Sequence, residues 1–258
     1  SVTFCPLCNS TIVFDRVLNG KLYDFGTSGL LRNSDLVMYD RQSETLWQQF
    51  TGEAIIGDLA GKTLTMLPSS MLSFKDYYNN YPEGKVLSKE TGHYRAYGNN
   101  PYVGYDDVNN SPFLYSNPMD DRLKPMQRVV TISNKYVAKA YTYKILKKKK
   151  VVNDIFSGSK IVVFHKSGTT SALDGQNIAS SRNVGATSVF SSVLNGDSLD
   201  FVYDRTKGII DTKTKSSWNI FGEAVNGQLK GKALKQIVHA DHFWFSWAAF
   251  KPDTLVYK

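Results

Sequence analysis

The feature that most constrains the fold of this 258-residue chain is an internal repeat. Residues 40–64, DRQSETLWQQFTGEAIIGDLAGKTL, resemble residues 211–234, DTKTKSSWNIFGEAVNGQLKGKAL. With one gap at Thr51, both copies keep an aspartate, a tryptophan and a phenylalanine. A Gly-Glu-Ala triplet and a Gly-x-Leu-x-Gly-Lys-x-Leu pattern then follow in both. Because these identities recur in one order, we expect a duplicated structural module.

The similarity extends on both sides of this stretch. Residues 17–25 (VLNGKLYDF) match 193–201 (VLNGDSLDF), and residues 81–87 line up with 251–257. We expect the two modules to pack about a pseudo-two-fold axis. Residues 129–164 precede the second copy and have no counterpart before the first, so we expect the N-terminal part of the first module to be missing from this chain.

The pattern between these landmarks predicts an α+β fold that is mainly β. Short runs rich in Val, Ile, Tyr and Phe are bounded by Gly, Asn and Asp, which is typical of short antiparallel strands. Asn-Gly pairs at 19–20 and 195–196 predict tight hairpin turns. Helices are predicted at 69–80 and 240–250, each closing one module, and a shorter helix at 138–146.

These elements divide the chain into three parts. Residues 1–87 are the first module, 88–128 a long ordered connector, and 129–258 the second module. The connector is dense in Gly, Asn, Pro and Tyr. An irregular segment of this length is typical of a functional loop or of a packed linker.

Charge is distributed unevenly between the two parts of the chain. Residues 1–127 carry 11 basic and 14 acidic side chains, whereas 128–258 carry 20 and 9, so the net charges are −3 and +11. The basic second module, with its run Lys147–Lys150, is suited to an anionic partner protein or membrane surface, or is simply a solvated turn. No nucleic-acid reader motif occurs, so nucleic acid is not an expected partner.

The two cysteines lie together in CPLC, at Cys5 and Cys8. The residues that follow alternate like a strand, which argues against a thioredoxin-type site, because that site needs a helix after its first thiol. Two readings remain: a thiol or metal site, with zinc or copper as the metal, and an inert local disulfide. We align Phe4–Cys8 with Phe164–Gly168, so that His165 replaces Cys5. The module therefore folds without the motif.

Other polar residues are candidates for a metal site with the cysteines or for a ligand contact near them. His239 and His242 are three positions apart and are predicted to share a helical face, so His242 could complete a metal site with the cysteines. Arg32 and Asn33 have no full equivalent in the second module and, with Asp40, are candidates for a substrate or anion contact. A buried salt-bridge and turn network explains the same residues. No catalytic constellation is recognised, so enzymatic activity is left open.

The motifs VTFCPLCNSTIVFDR, YGNNPYVGYDD, DDRLKPMQRV and FWFSWAAFKPDTLVY, with the first repeat copy, resemble the DUF3179 family over essentially the whole chain. Members of this family are commonly exported or lipid-anchored. The resemblance therefore implies an extracytoplasmic protein, periplasmic or at the cell surface, but supplies no activity or catalytic residue.

Two hypotheses follow for the function. The first is an exported protein with a thiol or transition-metal site at CPLC. The second is a non-catalytic interaction protein of the cell surface or of a membrane complex, which docks through its basic second module and carries an inert CxxC disulfide.

Overall fold

The computed structural model describes residues 1–258 and is mainly β, with 38% of residues in strands and 10% in helices. This confirms the predicted β-rich class. The helices are α1 (Phe74–Asn80), α2 (Tyr143–Lys149) and α3 (Trp244–Phe250). None of the three combines the length and the apolar composition needed to cross a bilayer.

The first half of the chain contributes nine short strands. In order they are β1 (Val2–Cys5), β2 (Ser10–Phe14), β3 (Val17–Leu18), β4 (Lys21–Leu22), β5 (Phe25–Arg32), β6 (Asp35–Asp40), β7 (Leu46–Gln48), β8 (Ala54–Ile56) and β9 (Met66–Leu67). They form a three-stranded sheet β1-β2-β9, the hairpin β3-β4 and a four-stranded meander β5-β6-β7-β8. All these pairs are antiparallel.

The second half contributes thirteen strands. In order they are β10 (Arg128–Ser133), β11 (Ala138–Thr142), β12 (Val151–Phe156), β13 (Ser159–Lys166), β14 (Ala186–Ser191), β15 (Val193–Leu194), β16 (Asp197–Ser198), β17 (Phe201–Asp204), β18 (Gly208–Asp211), β19 (Ser217–Trp218), β20 (Ala224–Asn226), β21 (Ala240–Phe243) and β22 (Leu255–Val256). Their sheets are β12-β13-β14, β15-β16, β17-β18-β19-β20 and β21-β10-β11-β22. Only β11 and β22 pair in parallel.

The repeated sequence forms the same local structure twice. Trp47 pairs with Ala54 beside a register shift, and Trp218 pairs with Ala224 beside an equivalent shift. In each copy the indole N–H donates to the aspartate that opens the repeat, over 2.9 Å to Asp40 and 3.1 Å to Asp211. The two meanders therefore share strand order, bulge and buried turn. A pseudo-two-fold relation between whole modules stays a prediction.

The structure corrects the alignment of the cysteine hairpin by one residue. A Cβ added at Gly52 would lie 2.8 Å from the Phe14 ring, and one added at Gly222 would lie 2.5 Å from the Phe190 ring, so these two phenylalanines are equivalent. Counting from them, Ser10 is equivalent to Ala186. Since Ser10 pairs with Cys5 and Ala186 pairs with Lys166, Lys166 and not His165 stands at the register of Cys5.

The predicted helices are shorter than their sequence patterns suggested. α1 begins at Phe74, after Ser73 accepts a hydrogen bond from the Asp76 amide, rather than at residue 69. Residues 240–243 form β21, because they pair with β10, and only the last part of the predicted 240–250 helix is helical. The helix predicted at 138–146 is wrong in its first half, which is strand β11.

Residues 88–127 of the connector contain no helix and no regular strand, and Arg128 begins β10. It is nevertheless tied to both halves, because the Phe113 carbonyl accepts from Ser34 Oγ over 2.6 Å and the Asp106 carboxylate accepts from Ser171 Oγ over 2.6 Å. The proposed domain limits at residues 87 and 128 stay predictions. The connector also contacts the cysteine turn, because the Tyr105 hydroxyl donates to the Leu7 carbonyl over 3.0 Å.

We expect Asp40→Ala and Asp211→Ala each to lower the free energy of unfolding by about 2–4 kcal/mol, because each leaves a buried tryptophan N–H without an acceptor. Urea unfolding of both variants measures this. Asp58→Ala, at an exposed position, is the control and should change the free energy by less than about 0.5 kcal/mol. Equal stability of all three variants would contradict a structural role for the Asp–Trp pair.

Candidate thiol and metal site

The cysteine pair sits on a short turn between β1 and β2. Cys5 ends β1, Pro6–Cys8 form a single 3-10 turn, and Asn9 adopts a left-handed conformation with φ 50°. The Asn9 amide donates to the Pro6 carbonyl over 3.2 Å, which closes the turn. Pro6 favours this start because its fixed φ suits the first helical position and its missing N–H leaves no donor unsatisfied.

A carboxyl group completes the cluster. Cys5 Sγ, Cys8 Sγ and a carboxylate oxygen of Asp35 all lie within 4.8 Å of one another. The three residues are 1%, 0% and 0% exposed, and both cysteines are free thiols. We call this group the thiol cluster.

The two oxygens of Asp35 are in different situations. Oδ2 accepts from Gln48 Nε2 over 2.6 Å and from the Phe50 amide over 3.0 Å. Oδ1 is buried and has no hydrogen-bond partner. A buried carboxylate oxygen without a partner costs free energy, so it points to a group that would satisfy it.

The turn between β5 and β6 brings Asp35 to the cysteines. Arg32 pairs with Asp35 across a two-residue turn in which Asn33 and Ser34 have φ of 53° and 67°. This is the backbone of a tight hairpin. The Ser34 carbonyl contacts both thiols, at 3.8 Å from Cys5 Sγ and 3.5 Å from Cys8 Sγ.

Burial sets the protonation of the thiol cluster. The hydrogen bond with Cys8 lowers the pKa of Cys5 to about 6, against the opposing effect of burial. Burial raises the pKa of Cys8 well above the usual thiol value, and it likewise raises the pKa of Asp35. The cluster therefore resists carrying several negative charges unless a cation shares the site.

Residues outside the first half hold the cysteine turn in place. Arg128 donates to Asn9 Oδ1 over 2.6 Å and to Asp106 Oδ2 over 2.7 Å. Tyr105 donates its hydroxyl to the Leu7 carbonyl over 3.0 Å, and Ser246 Oγ lies 3.4 Å from the Cys8 carbonyl. The connector, β10 and α3 thus all contact the turn that carries the thiols.

His242 is not part of the thiol cluster. It lies in β21, where its ring stacks on Phe50 with centroids 4.4 Å apart and on Trp247 at 5.2 Å. Phe243, the next residue, packs in the apolar cluster that contains both cysteines. Since successive strand residues point to opposite faces, His242 faces away from them. The expectation that His239 and His242 share a helical face is wrong, because both precede α3.

The three residues predicted to contact an anion or substrate also lie outside the cluster. The Arg32 guanidinium is 5.8 Å from the centre of the Phe250 ring, and Asn33 Oδ1 accepts from Asn117 over 2.7 Å. Asp40 accepts from Trp47 and from the Ser43 amide in its turn. A ligand contact by any of the three stays a prediction.

Asp35 is the residue of the thiol cluster that the sequence motifs do not predict. The signal that could have singled it out is its position in the strand DLVMYD, where Asp35 and Val37 lie on the same buried face. An acidic residue that alternation places in the core needs a partner. The internal repeat alone could not identify Asp35, because the second half has no equivalent hairpin of this length.

Two thiolates and one carboxylate are a ligand set for a transition metal. Zinc binds Cys sulfur and Asp oxygen together, while copper(I) favours soft thiolates and needs fewer ligands. No fourth side chain of this kind joins the cluster. The residues present therefore fit a site of two sulfurs and one oxygen.

Lowering the pH from 7 to 5 should destabilise the protein, because burial lowers the pKa of His165 to about 4 and that of His242 to about 3. Below about pH 6.5 the histidines of the unfolded chain bind protons, whereas these buried rings stay neutral in the folded chain. The free energy of unfolding therefore decreases as the pH is lowered from 7 to 5, by roughly 2 kcal/mol per histidine. Urea unfolding at both pH values measures this. His242→Phe should remove about one third of the loss, because burial also lowers the pKa of His239 and three histidines share the effect. His93→Phe, in the exposed connector, is the control, and an equal effect of both variants would contradict the assignment.

Comparison with known proteins places the chain by its sequence. No curated protein and no solved structure matches it. A family profile described as a protein of unknown function, DUF3179, matches residues 1–254, which include the cysteine turn, the Asp35 hairpin and both repeat copies. The chain therefore belongs to the DUF3179 family.

Proposed function

We propose that this protein binds one transition-metal ion, copper(I) or zinc(II), between Cys5 and Cys8, with Asp35 as the oxygen ligand of the zinc form. The observation that carries the proposal is Asp35 Oδ1, which is buried without a hydrogen-bond partner in a cluster with two free thiols. A metal cation is the group that would satisfy this oxygen and neutralise the thiolates together.

Burial supports a metal over an open reactive thiol. Both cysteines and Asp35 are almost completely enclosed, and the cysteines pack against apolar side chains that include Phe243 and Phe245. A thiol that attacks large substrates is expected to be partly exposed. Enclosed sulfurs suit an ion that is held, since an apolar shell limits the access of water and of oxidants.

The protein's own residues would orient the ligands. Gln48 and the Phe50 amide hold Oδ2 of Asp35 and leave Oδ1 without a hydrogen bond. Arg128 fixes the turn through Asn9. Because thiols must lose their protons to bind a metal, binding should release protons and weaken at low pH.

The metal proposal is tested on reduced protein by metal analysis and competition with a chromophoric chelator. We expect about one equivalent of metal per chain, and its loss in Cys5→Ser and Cys8→Ser. Asp35→Asn should weaken zinc roughly 10- to 100-fold but change copper(I) little, because two thiolates suffice for copper(I).

Asp58→Asn, at an exposed site, is the control for charge loss and should bind as the parent chain does. Circular dichroism checks that each variant folds. Reduced, folded protein that takes up neither ion, or a protein that returns to a Cys5–Cys8 disulfide and never binds metal, would overturn the proposal in favour of an inert CxxC pair.

We further propose that the protein works outside the cytoplasm, at an anionic membrane surface. The family resemblance supports export. The specific observation for the surface is α2, whose exposed lysines form no ion pair, namely Lys144, Lys147, Lys148 and Lys149. Clustered, unpaired lysines attract anionic lipid headgroups, each contributing about 1 kcal/mol near the surface.

Membrane association is tested by sedimenting the protein with vesicles of anionic lipid at low salt and at about 1 M NaCl, where charges are screened beyond ~3 Å. We expect binding at low salt only, and its loss in the triple variant Lys147→Glu, Lys148→Glu, Lys149→Glu. The matched control is Lys85→Glu with Lys89→Glu, in the exposed segment after α1. Binding that the triple variant keeps, or the absence of any vesicle binding, contradicts the surface. Fractionation of cells that make the precursor tests export, and recovery in the cytosol alone contradicts it.

A further inference from the structure

A cavity of about 310 Å³ lies between the two halves of the chain, apart from the thiol cluster. Its walls come from β2, β9, β10, β21 and α3, so residues distant in sequence enclose it. The volume is at the lower end of the range of small-molecule sites in proteins. None of the residues assigned to metal binding lines it.

Three aromatic rings in mutual contact line one side of this cavity. The Phe50 ring lies 4.4 Å from the His242 ring, and the Trp247 ring lies 5.2 Å from His242 on a nearly parallel plane. Phe50 and Trp247 are 5.7 Å apart. Flat, rigid aromatic surfaces of this kind pack well against a flat, unsaturated ligand.

His242 lines the cavity with its ring, while its Nδ1 is enclosed by the protein. The residue is 1% exposed and lines the cavity, yet its Nδ1 is buried without any hydrogen-bond partner. Buried imidazole nitrogens normally have partners.

Charge decides what kind of ligand the cavity fits. Its lining contains no aspartate and no glutamate, but it contains Lys135 and Lys251. Neither lysine is in an ion pair. The remaining polar groups include the hydroxyls of Ser69, Thr131 and Ser133. This lining favours an anion and disfavours a cation, because no carboxylate is there to balance a positive charge.

We propose that the cavity is a binding site for a small organic anion with a flat unsaturated body, such as an aromatic carboxylate. The body packs on the wall of Phe50, His242 and Trp247, and the carboxylate lies near Lys135 and Lys251. This site does not depend on the metal proposal, since the two share no ligand residue. Phe50 links them, because its ring lines the cavity while its amide holds Asp35.

The test is isothermal titration calorimetry on the reduced, metal-free chain, with 4-hydroxybenzoate, tyramine and cyclohexanecarboxylate as probes. We expect 4-hydroxybenzoate to bind with a Kd below about 1 mM. Tyramine carries the same ring with a positive charge and should bind at least about 10-fold more weakly, because it lacks the charge that the lysines recognise. Cyclohexanecarboxylate tests the need for a flat body and should also bind more weakly.

The double variant Lys135→Ala, Lys251→Ala should weaken 4-hydroxybenzoate about 10-fold or more. The matched control, Lys62→Ala with Lys89→Ala, removes two exposed lysines elsewhere and should leave the Kd unchanged. Amide chemical shifts of Phe50 and Trp247 locate the ligand. No binding of the carboxylate, equal binding of tyramine, or an unchanged Kd in the lysine variant would overturn the proposal, whatever the metal analysis shows.

Discussion

The buried ion pair of Arg128 with Asp106 is the interaction on which the architecture of the site depends. One guanidinium, packed 5.2 Å from the Phe243 ring, joins the start of β10, the connector and the cysteine turn through Asn9. Burial opposes the charge of Asp106, but Ser171 and Arg128 outweigh it and hold the pKa of that carboxyl below its usual value. Hydrogen bonds from Arg128 to Asn9 and Ser171, and from Ser171 to Asp106, support the pair, and losing one member would leave the other charge buried and unpaired. The thiol turn is therefore a product of the whole chain and not of its own hairpin.

The repeat made much of the fold predictable, because both copies retain the residues that form a buried turn. Asp40 and Trp47, like Asp211 and Trp218, close a meander in which a buried indole N–H needs a carboxylate, so their joint retention indicated a structural pair. Strand register was not predictable in the same way. Side chains alternate with a period of two, so a one-residue slip keeps a plausible pattern and only the pairing with neighbouring strands decides it. That is why the cysteine hairpin aligned one residue out of place.

The sequence predicted the two sulfur ligands of the candidate site but not its oxygen ligand. CPLC is visible in the sequence as a local motif, whereas Asp35 reaches it through a hairpin turn at Asn33 and Ser34 whose geometry depends on positive φ at both residues. His242 failed as a sulfur neighbour for a different reason. Residues 240–243 pair with β10, and strand alternation sends Phe243 toward the cysteines and His242 to the opposite face. If the same four residues are predicted as a helix, it is not evident that Phe243 and His242 lie on opposite faces.

The two halves share a local fold but carry different side chains at the strand position of Cys5. Where Cys5 lies in the first half, Lys166 lies in the second, and there a salt bridge with Asp76 of α1 takes the place of the thiol cluster. The Asp–Trp turns hold the strands together, and the residues at the register of Cys5 do not. Those residues can therefore be replaced without loss of the fold. The residues the two copies share thus maintain the meander, and those they do not share, Cys5, Cys8 and Asp35, are free to carry a function. Phe50 shows how such a function can reach beyond its own half: its amide holds Asp35, and its ring packs on His242 of the second half. Phe50 therefore contacts both the thiol cluster and the cavity between the halves.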